Sequence, residues 1–446
     1  MSGVHHYHYP TREEFQRRIG SVTVPKTLKT AALIAAVLGM GLFVVGAIMG
    51  EQRAWHALLF NWIYLATISS AGVAFAAVQR IVTARWSRPI VRYFEGYVAF
   101  LPVAFIILLL IIFPGREAIF TWAGRETLEA ASEKGRYFDP MWFALRGIVI
   151  FGTMMALMIA FVYRSVRVDV GSMPKFTGAK WAEGIRQRMR NGFGEERREL
   201  HDTHQALGKL GVAVAMVFGF GWCVLAWDYS MSLTLHWQQT MYAWIVLMAG
   251  WLGMIMSASL LCLWWRKRMQ VEDLVTVNHI WDMGKLAFAF TAFFGYLSFS
   301  QYLVIWYGNL PEETHFYNLR LSGSWKAVTQ LIPILAFVLP FGGLISKAAK
   351  VYFPTFVLFA SASLLGTWLH RYIEVYPSIY GVVDSLPFGI WEVGVAVGMI
   401  GLWFTCYFAF MDAFPKMRVF MMTSPYRDEV QIPVDPRTME PLPAHE

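Results

Sequence analysis

Ionisable side chains are costly inside a lipid bilayer, so those beside long apolar runs are the first candidates for chemistry. Three histidines, His56, His236 and His370, stand at the ends of such runs, near the carboxylates Glu51, Asp228, Glu374, Asp384 and Glu392. Imidazole and carboxylate gathered at one membrane face can accept and pass protons near neutral pH. Groups this close to an interface can equally be wet and idle. Asp228 and His236 are joined by only "YSMSLTL", a stretch short enough to keep two helix ends adjacent. The spacing predicts that this pair lines a hydrated pocket, with His370, Glu374, Glu392 and His56 as further candidates.

A second polar set lies inside one apolar run, "MGKLAFAFTAFFGYLSFSQYLVIWYGNLPEET", Met283 to Thr314. On a helix turning about 100° per residue, Ser298 and Tyr302 each fall within about 20° of Thr291. Gln301 flanks that stripe, and Asp282 and Lys285 stand at its start. Hydrogen bonding between helices accounts for such a stripe structurally. The functional alternative is a proton wire or the wall of a hydrated cavity. The stripe holds no carboxylate midway, so a wire would need water or residues from other helices.

Cofactor ligands are scarce. The three cysteines, Cys223, Cys262 and Cys406, each lie in an apolar run, and no CxxC occurs. Neither an iron–sulfur or zinc site nor a disulfide framework is expected. None of the 11 histidines falls midway along a run, so axial haem ligation is not expected either. The terminal "HHYHY" resembles a metal-binding tract but is short. No cofactor and no metal are therefore expected in this chain.

The elements that must position these groups are membrane helices. Of the 446 residues, 57% are hydrophobic and 15% charged, with a mean hydropathy of +0.45. Soluble domains carry about 25% charged residues. A span needs ~20 mostly apolar residues. Ten runs qualify, at 29–50, 55–78, 97–113, 141–163, 209–228, 240–264, 284–306, 324–345, 351–371 and 389–412. The fold class is an all-α polytopic membrane protein: a tail at 1–28, a ten-helix domain at 29–412 with a loop at 164–208, and a second tail at 413–446. With both termini in the cytoplasm, 29 of the 38 Lys and Arg face inward and 7 outward, as the positive-inside rule requires. The net charge of +8 is thereby explained without nucleic acid. No removed signal peptide is expected, because a short apolar region with a small-residue cleavage site is lacking. "RQRMRNGFGEERRELHDTH", Arg186 to His204, reads as an amphipathic helix at the lipid surface or a docking surface. The proline-rich end from Ser424 reads as extended, lying on something or disordered.

Three stretches carry a family resemblance. The Met283–Glu313 run resembles the signature of the ActF-type membrane subunits of bacterial alternative complex III. "WDYSMSLTLHWQQTMYAW", Trp227 to Trp244, is similar to that family's Asp…Met-Ser-Leu…His-Trp turn, and "RWSRPIVRYFE", Arg85 to Glu95, to its second inside loop. With the ten-run layout, the resemblance covers most of the chain. Two places depart: Thr234-Leu235 precedes His236 where the family has Asp-Pro, and Glu374 replaces an Asp in the motif that begins at Arg371. The resemblance implies an NrfD-like fold: two four-helix bundles, spans two to five and six to nine, with one helix at each end. It implies a multi-pass subunit of the bacterial inner membrane in a quinol:cytochrome c oxidoreductase that does not catalyse alone. Implied partners are the paralogous ActC, an iron–sulfur subunit, multihaem cytochrome c subunits, lipids, and menaquinol or ubiquinol. Haem c and the clusters would sit in those partners. A quinone pocket, with a proton pathway, is the role implied here.

A secondary transporter is the competing reading, since ten spans and polar helix faces suit one. Its paired helix breaks are not evident at Pro102, Pro333, Pro340 and Pro354. A pure scaffold is the third. A topology reporter fused after Gly178 is expected to read cytoplasmic and one after Glu129 periplasmic; the reverse pattern overturns the charge argument.

Overall fold

The structure, a computed structural model, describes residues 11–20, 22–123 and 137–430. The "HHYHY" tract, Glu129 and the tail beyond 430 lie outside the described residues. The described residues form helices and no strands. Ten helices are long and apolar enough to cross a membrane: Lys26–Ile48, Gln52–Ile81, Val91–Ile112, Pro140–Ser172, Glu196–Leu233, Thr240–Met269, Val277–Gly308, Trp325–Gly343, Phe353–Tyr380 and Ile390–Ala413, here spans one to ten. Each expected run is found, but several helices overshoot it. Span five starts at Glu196 and span nine runs on to Tyr380. Hydropathy registers only the part of a helix that matches the lipid, whereas backbone hydrogen bonding carries the helix on.

Span two is the buried axis, its most apolar window being covered throughout. Spans three, five, six and ten pack most extensively around it. Span one lies along span ten, with Gly39 against Gly398: a Cβ added to Gly39 would come 2.3 Å from the Gly398 Cα. Small residues permit this approach where lipid supplies no hydrophobic drive for helix association. Span eight is interrupted. Its α-helix ends at Pro333, a π-helical turn follows over Ile334–Val338, and the α-helix resumes over Leu339–Gly343. Proline contributes no N–H to the ladder, and the wider turn accommodates the gap.

Residues 11–20 and 22–25 meet residues 414–430 at one end of the helices, here the basic end; the other is the distal end. Arg92 pairs with Glu95 at 2.6 Å and with Asp169, Arg418 from the tail pairs with Glu95, and the Phe420 N–H donates to Asp169 Oδ1 at 2.7 Å. Charges in such a site are tolerable only when paired. The segment 414–430 thus lies against the helices. The 164–209 segment is likewise less solvated than its charge suggests. In its helix Glu183–Arg190, Arg186 and Met189 are buried, and Arg186 donates to the Ala413 carbonyl at 2.9 Å.

Lys416 is buried near Asp412, whose oxygens are already taken by Lys29 Nζ at 2.7 Å and the Val24 N–H at 2.9 Å. Burial, opposed by Asp412 and reinforced by Lys29, pulls the Lys416 ammonium down to about 8. Between that value and the ordinary lysine range the unfolded chain holds the proton and the folded chain does not. Stability from this group therefore rises with pH across that window and is lost below it. Lys416→Met should raise the unfolding midpoint at pH 7, by about 1–2 kcal/mol, and the gain should shrink above pH 8. Thermal unfolding of both chains across that range checks it.

Candidate functional site

Between spans six, seven, eight and nine, towards the distal end, lies a cavity of about 720 Å³. The helix Pro311–Arg320, between spans seven and eight, contributes Phe316, Tyr317 and Arg320 to its wall. Span seven adds Ser298, Gln301 and Tyr302; the interrupted span eight adds Pro333, Phe337 and Phe341; span nine adds His370 and Glu374. Tyr296 and Phe299, 63% and 61% exposed, stand at the mouth on the outer face of span seven. The wall is mostly apolar and aromatic, with its charges gathered around span nine.

Arg371 Nη1 lies 2.6 Å from Glu374 Oε2, and Arg371 Nη2 donates to His370 Nδ1 at 3.0 Å. An Nδ1 that accepts from an arginine carries no proton, so the ring is the neutral Nε2–H tautomer. Nδ1 also lies 3.3 Å from Glu374 Oε1, but with no hydrogen to give it leaves that buried oxygen without a donor. Arg320 is buried, with Glu374 near it but no carboxylate within ion-pair distance among the described residues. It donates to the carbonyls of Phe316 and Glu374, each at 2.9 Å, and to Ser378 Oγ at 2.8 Å, and lies 3.3 Å over the Phe316 ring. Burial lowers its guanidinium to about 10, still charged at neutral pH. Two arginines against one carboxylate leave this end of the cavity positive. With the His370 Nε2–H, the Gln301 amide and the unpartnered Ser298 hydroxyl, it suits a flat, electron-rich oxygen-bearing head whose apolar remainder leaves between the aromatics.

The expected site residues divide. His370, Glu374, Ser298, Gln301 and Tyr302 come together here. His370 lies well inside a helix that continues to Tyr380, not at its end as the apolar run implied. Thr291 does not join the stripe's upper part: it is buried and donates to the Ala287 carbonyl at 2.8 Å. Asp282 and Lys285 pair with each other at 2.6 Å.

The predicted Asp228–His236 pair does not form. Asp228 is held bidentately by Arg146, at 2.6 and 3.0 Å, while His236 points to the exterior with no partner among the described residues. The short 3₁₀ turn Met231–Leu233 keeps the helix ends close but turns the two side chains apart. His56 Nε2 donates to the Ala118 carbonyl at 3.0 Å, so its Nδ1 accepts from the Tyr380 hydroxyl at 2.9 Å. Glu392 accepts from Arg53 at 2.9 and 2.7 Å, from the Tyr376 hydroxyl at 2.9 Å and from the Gly389 N–H at 2.7 Å. These groups are fully engaged in holding helix ends.

Sequence reasoning missed Arg320 and Tyr242 as cavity groups, and Arg371 as the partner of His370 and Glu374. The available signal was Arg320 as a lone cation between two apolar runs, and Arg371 beside a histidine. No group of three or more His, Cys, Asp or Glu arranged to hold a metal ion occurs among the described residues. Among known proteins, no family model and no curated protein matches the chain.

The Arg146–Asp228 pin yields a test. Arg146→Leu leaves the Asp228 carboxylate buried and unpaired and should cost roughly 3 kcal/mol of stability, whereas Arg146→Leu/Asp228→Leu should recover most of it. Denaturation midpoints of the two variants check the difference.

Proposed function

We propose that this chain is a non-haem integral membrane subunit of a quinol-oxidising complex of the alternative complex III type, in a bacterial inner membrane, and that the cavity receives the head of menaquinol or ubiquinol. The observation that carries this reading is the pairing of a positive, hydrogen-bonding end with an aromatic exit in one 720 Å³ cavity. The family resemblance of the Met283–Glu313 run, which supplies Ser298, Gln301 and Tyr302 to the wall, supports it independently. The two-bundle arrangement, spans two to five and six to nine, also belongs to the proposal. Its support is that spans two, four and five pack together, as do spans six, seven and nine.

In this reading His370 Nε2 hydrogen-bonds one head oxygen and the Gln301 amide orients the ring. Arg320 stabilises negative charge on the head as protons leave. The donor-free Glu374 oxygen is the nearest acceptor for such a proton. A quinol supplies electrons when bound; they pass to iron–sulfur and multihaem cytochrome c subunits, so the chain does not turn over alone. Of the original candidates, Asp228, His236, Glu392 and His56 have no part in this step.

The test uses the assembled complex. His370→Leu and Gln301→Leu should each lower quinol oxidation at least about tenfold with the complex intact. His236→Ala should leave the rate unchanged. Wild-type rates in both His370→Leu and Gln301→Leu would overturn the assignment, as would purification of the chain without multihaem cytochromes.

A further inference from the structure

At the basic end of spans four and five a second cavity, of about 660 Å³, opens under the loop that precedes span five. Its character is the reverse of the first, for its lining is predominantly polar and carries four arginines, Arg164, Arg167, Arg188 and Arg198, against three carboxylates, Glu195, Glu199 and Asp202. They are not equivalent. Arg167 is spent on structure: it grips Glu199 at 2.6 and 2.9 Å and the Gly192 carbonyl at 2.8 Å, while Glu199 also accepts the Gly194 N–H at 3.1 Å. That pair shapes the loop. Arg198 reaches Asp202 only at 3.7 Å, with both side chains largely in solvent. Arg164 and Arg188 are exposed and make no ion pair within 4 Å among the described residues, although Arg164 lies near enough to Glu199 for their charges to attract.

Two guanidinium groups that line one cavity without a close carboxylate partner suit an anion with several oxygens, which planar N–H forks bind well. The surroundings say where that anion comes from. Tyr163, beside Arg164, is 39% exposed on the outer face of span four, and Met216 and Phe220 of span five are 54% and 67% exposed. These apolar residues face lipid, and the cavity lies at the basic end of the same face. On the other side, Trp181 and Ile185 are 61% and 39% exposed at helical spacing with Arg188. An exposed Ile one turn and an exposed Trp two turns from an arginine mark an element lying in the headgroup layer.

We infer that this cavity binds the phosphate of an anionic phospholipid, with Arg164 and Arg188 on the phosphate, Arg198 at the rim, and the acyl chains along the outer faces of spans four and five. Basic pockets at the ends of membrane helices hold such headgroups. A free phosphate offers the same oxygens but nothing to cover the apolar ridge. The site is independent of the quinone assignment.

The test is a lipid titration of the full chain, stripped of lipid, read by native mass spectrometry. The probes are phosphatidylglycerol, phosphatidylcholine and inorganic phosphate. Phosphatidylglycerol should be retained at least about tenfold more strongly than phosphatidylcholine. Arg164→Gln/Arg188→Gln, which removes no described ion pair, should abolish that preference without changing the unfolding midpoint of the lipid-free chain, and Arg164→Lys/Arg188→Lys should keep most of it. Lys326→Gln, at the distal start of span eight and outside this cavity, should leave the preference intact. Equal retention of the two lipids, or an unchanged preference in Arg164→Gln/Arg188→Gln, would overturn the site. Inorganic phosphate displacing phosphatidylglycerol at comparable concentration would overturn the lipid assignment.

Discussion

Three indole N–H groups from three different helices end on span two, and the arrangement of the other elements follows from them. Trp222 of span five donates to Ser70 Oγ at 2.7 Å, Trp403 of span ten to Ser69 Oγ at 2.9 Å, and Trp368 of span nine to Asn61 Oδ1 at 2.9 Å. Lipid tails are as apolar as leucine, so helices in a bilayer are joined by packing and hydrogen bonds, each bond worth about 0.6 kcal/mol and at most ~2. No single bond decides the fold. Their geometry does fix rotation, because an indole reaches a hydroxyl or amide in only one orientation of its helix. Span nine shows the consequence. With Trp368 turned to span two, His370 and Glu374, about 200° and 240° further round, must look the other way, into the cavity.

Charge obeys a stricter version of the same constraint. Glu392 has four donors on it, Asp228 has a bidentate arginine, and Glu95 and Asp169 share Arg92, with Arg418 also on Glu95. Each of these closes a helix end or fastens the 414–430 segment, and none lines the cavity. The group around His370 is different in kind. Arg320 spends its bonds on carbonyls and a hydroxyl instead of a carboxylate, and neither oxygen of Glu374 accepts a hydrogen bond, the Arg371 contact being an ion pair only. Incomplete pairing beside open volume distinguishes a binding site from a structural clamp.

That distinction explains what the sequence disclosed. Hydropathy exposed all ten spans, since lipid contact demands apolar length. The Ser298–Tyr302 stripe was legible because helical periodicity is local. Partnership was not: Arg146 lies 82 residues from Asp228, and nothing in "YSMSLTL" shows that the carboxylate turns to that arginine and away from His236. His370 looked terminal because its run loses hydropathy at Arg371. The helix continues because Arg371 and Glu374 neutralise each other one turn apart and so remain tolerable in a buried stretch. The ionisable residues that hide a helix from hydropathy are the ones that build the site.

The cavity itself originates in the break of span eight. The π turn Ile334–Val338 is wedged between two glycines on neighbouring helices. A Cβ on Gly366 of span nine would meet the Ala336 backbone nitrogen at 2.6 Å, and one on Gly295 of span seven would meet the Phe337 ring at 2.3 Å. These contacts draw span eight tightly against spans seven and nine at that level. Pro333, directly before the turn, and Ile332 then border the open space. A regular helix would have continued the close packing towards the distal end and filled the volume with side chains. The helix break, two glycines and one buried arginine thus do together what a hydropathy profile cannot register: they hold a gap open beside a positive charge in an otherwise close-packed set of helices.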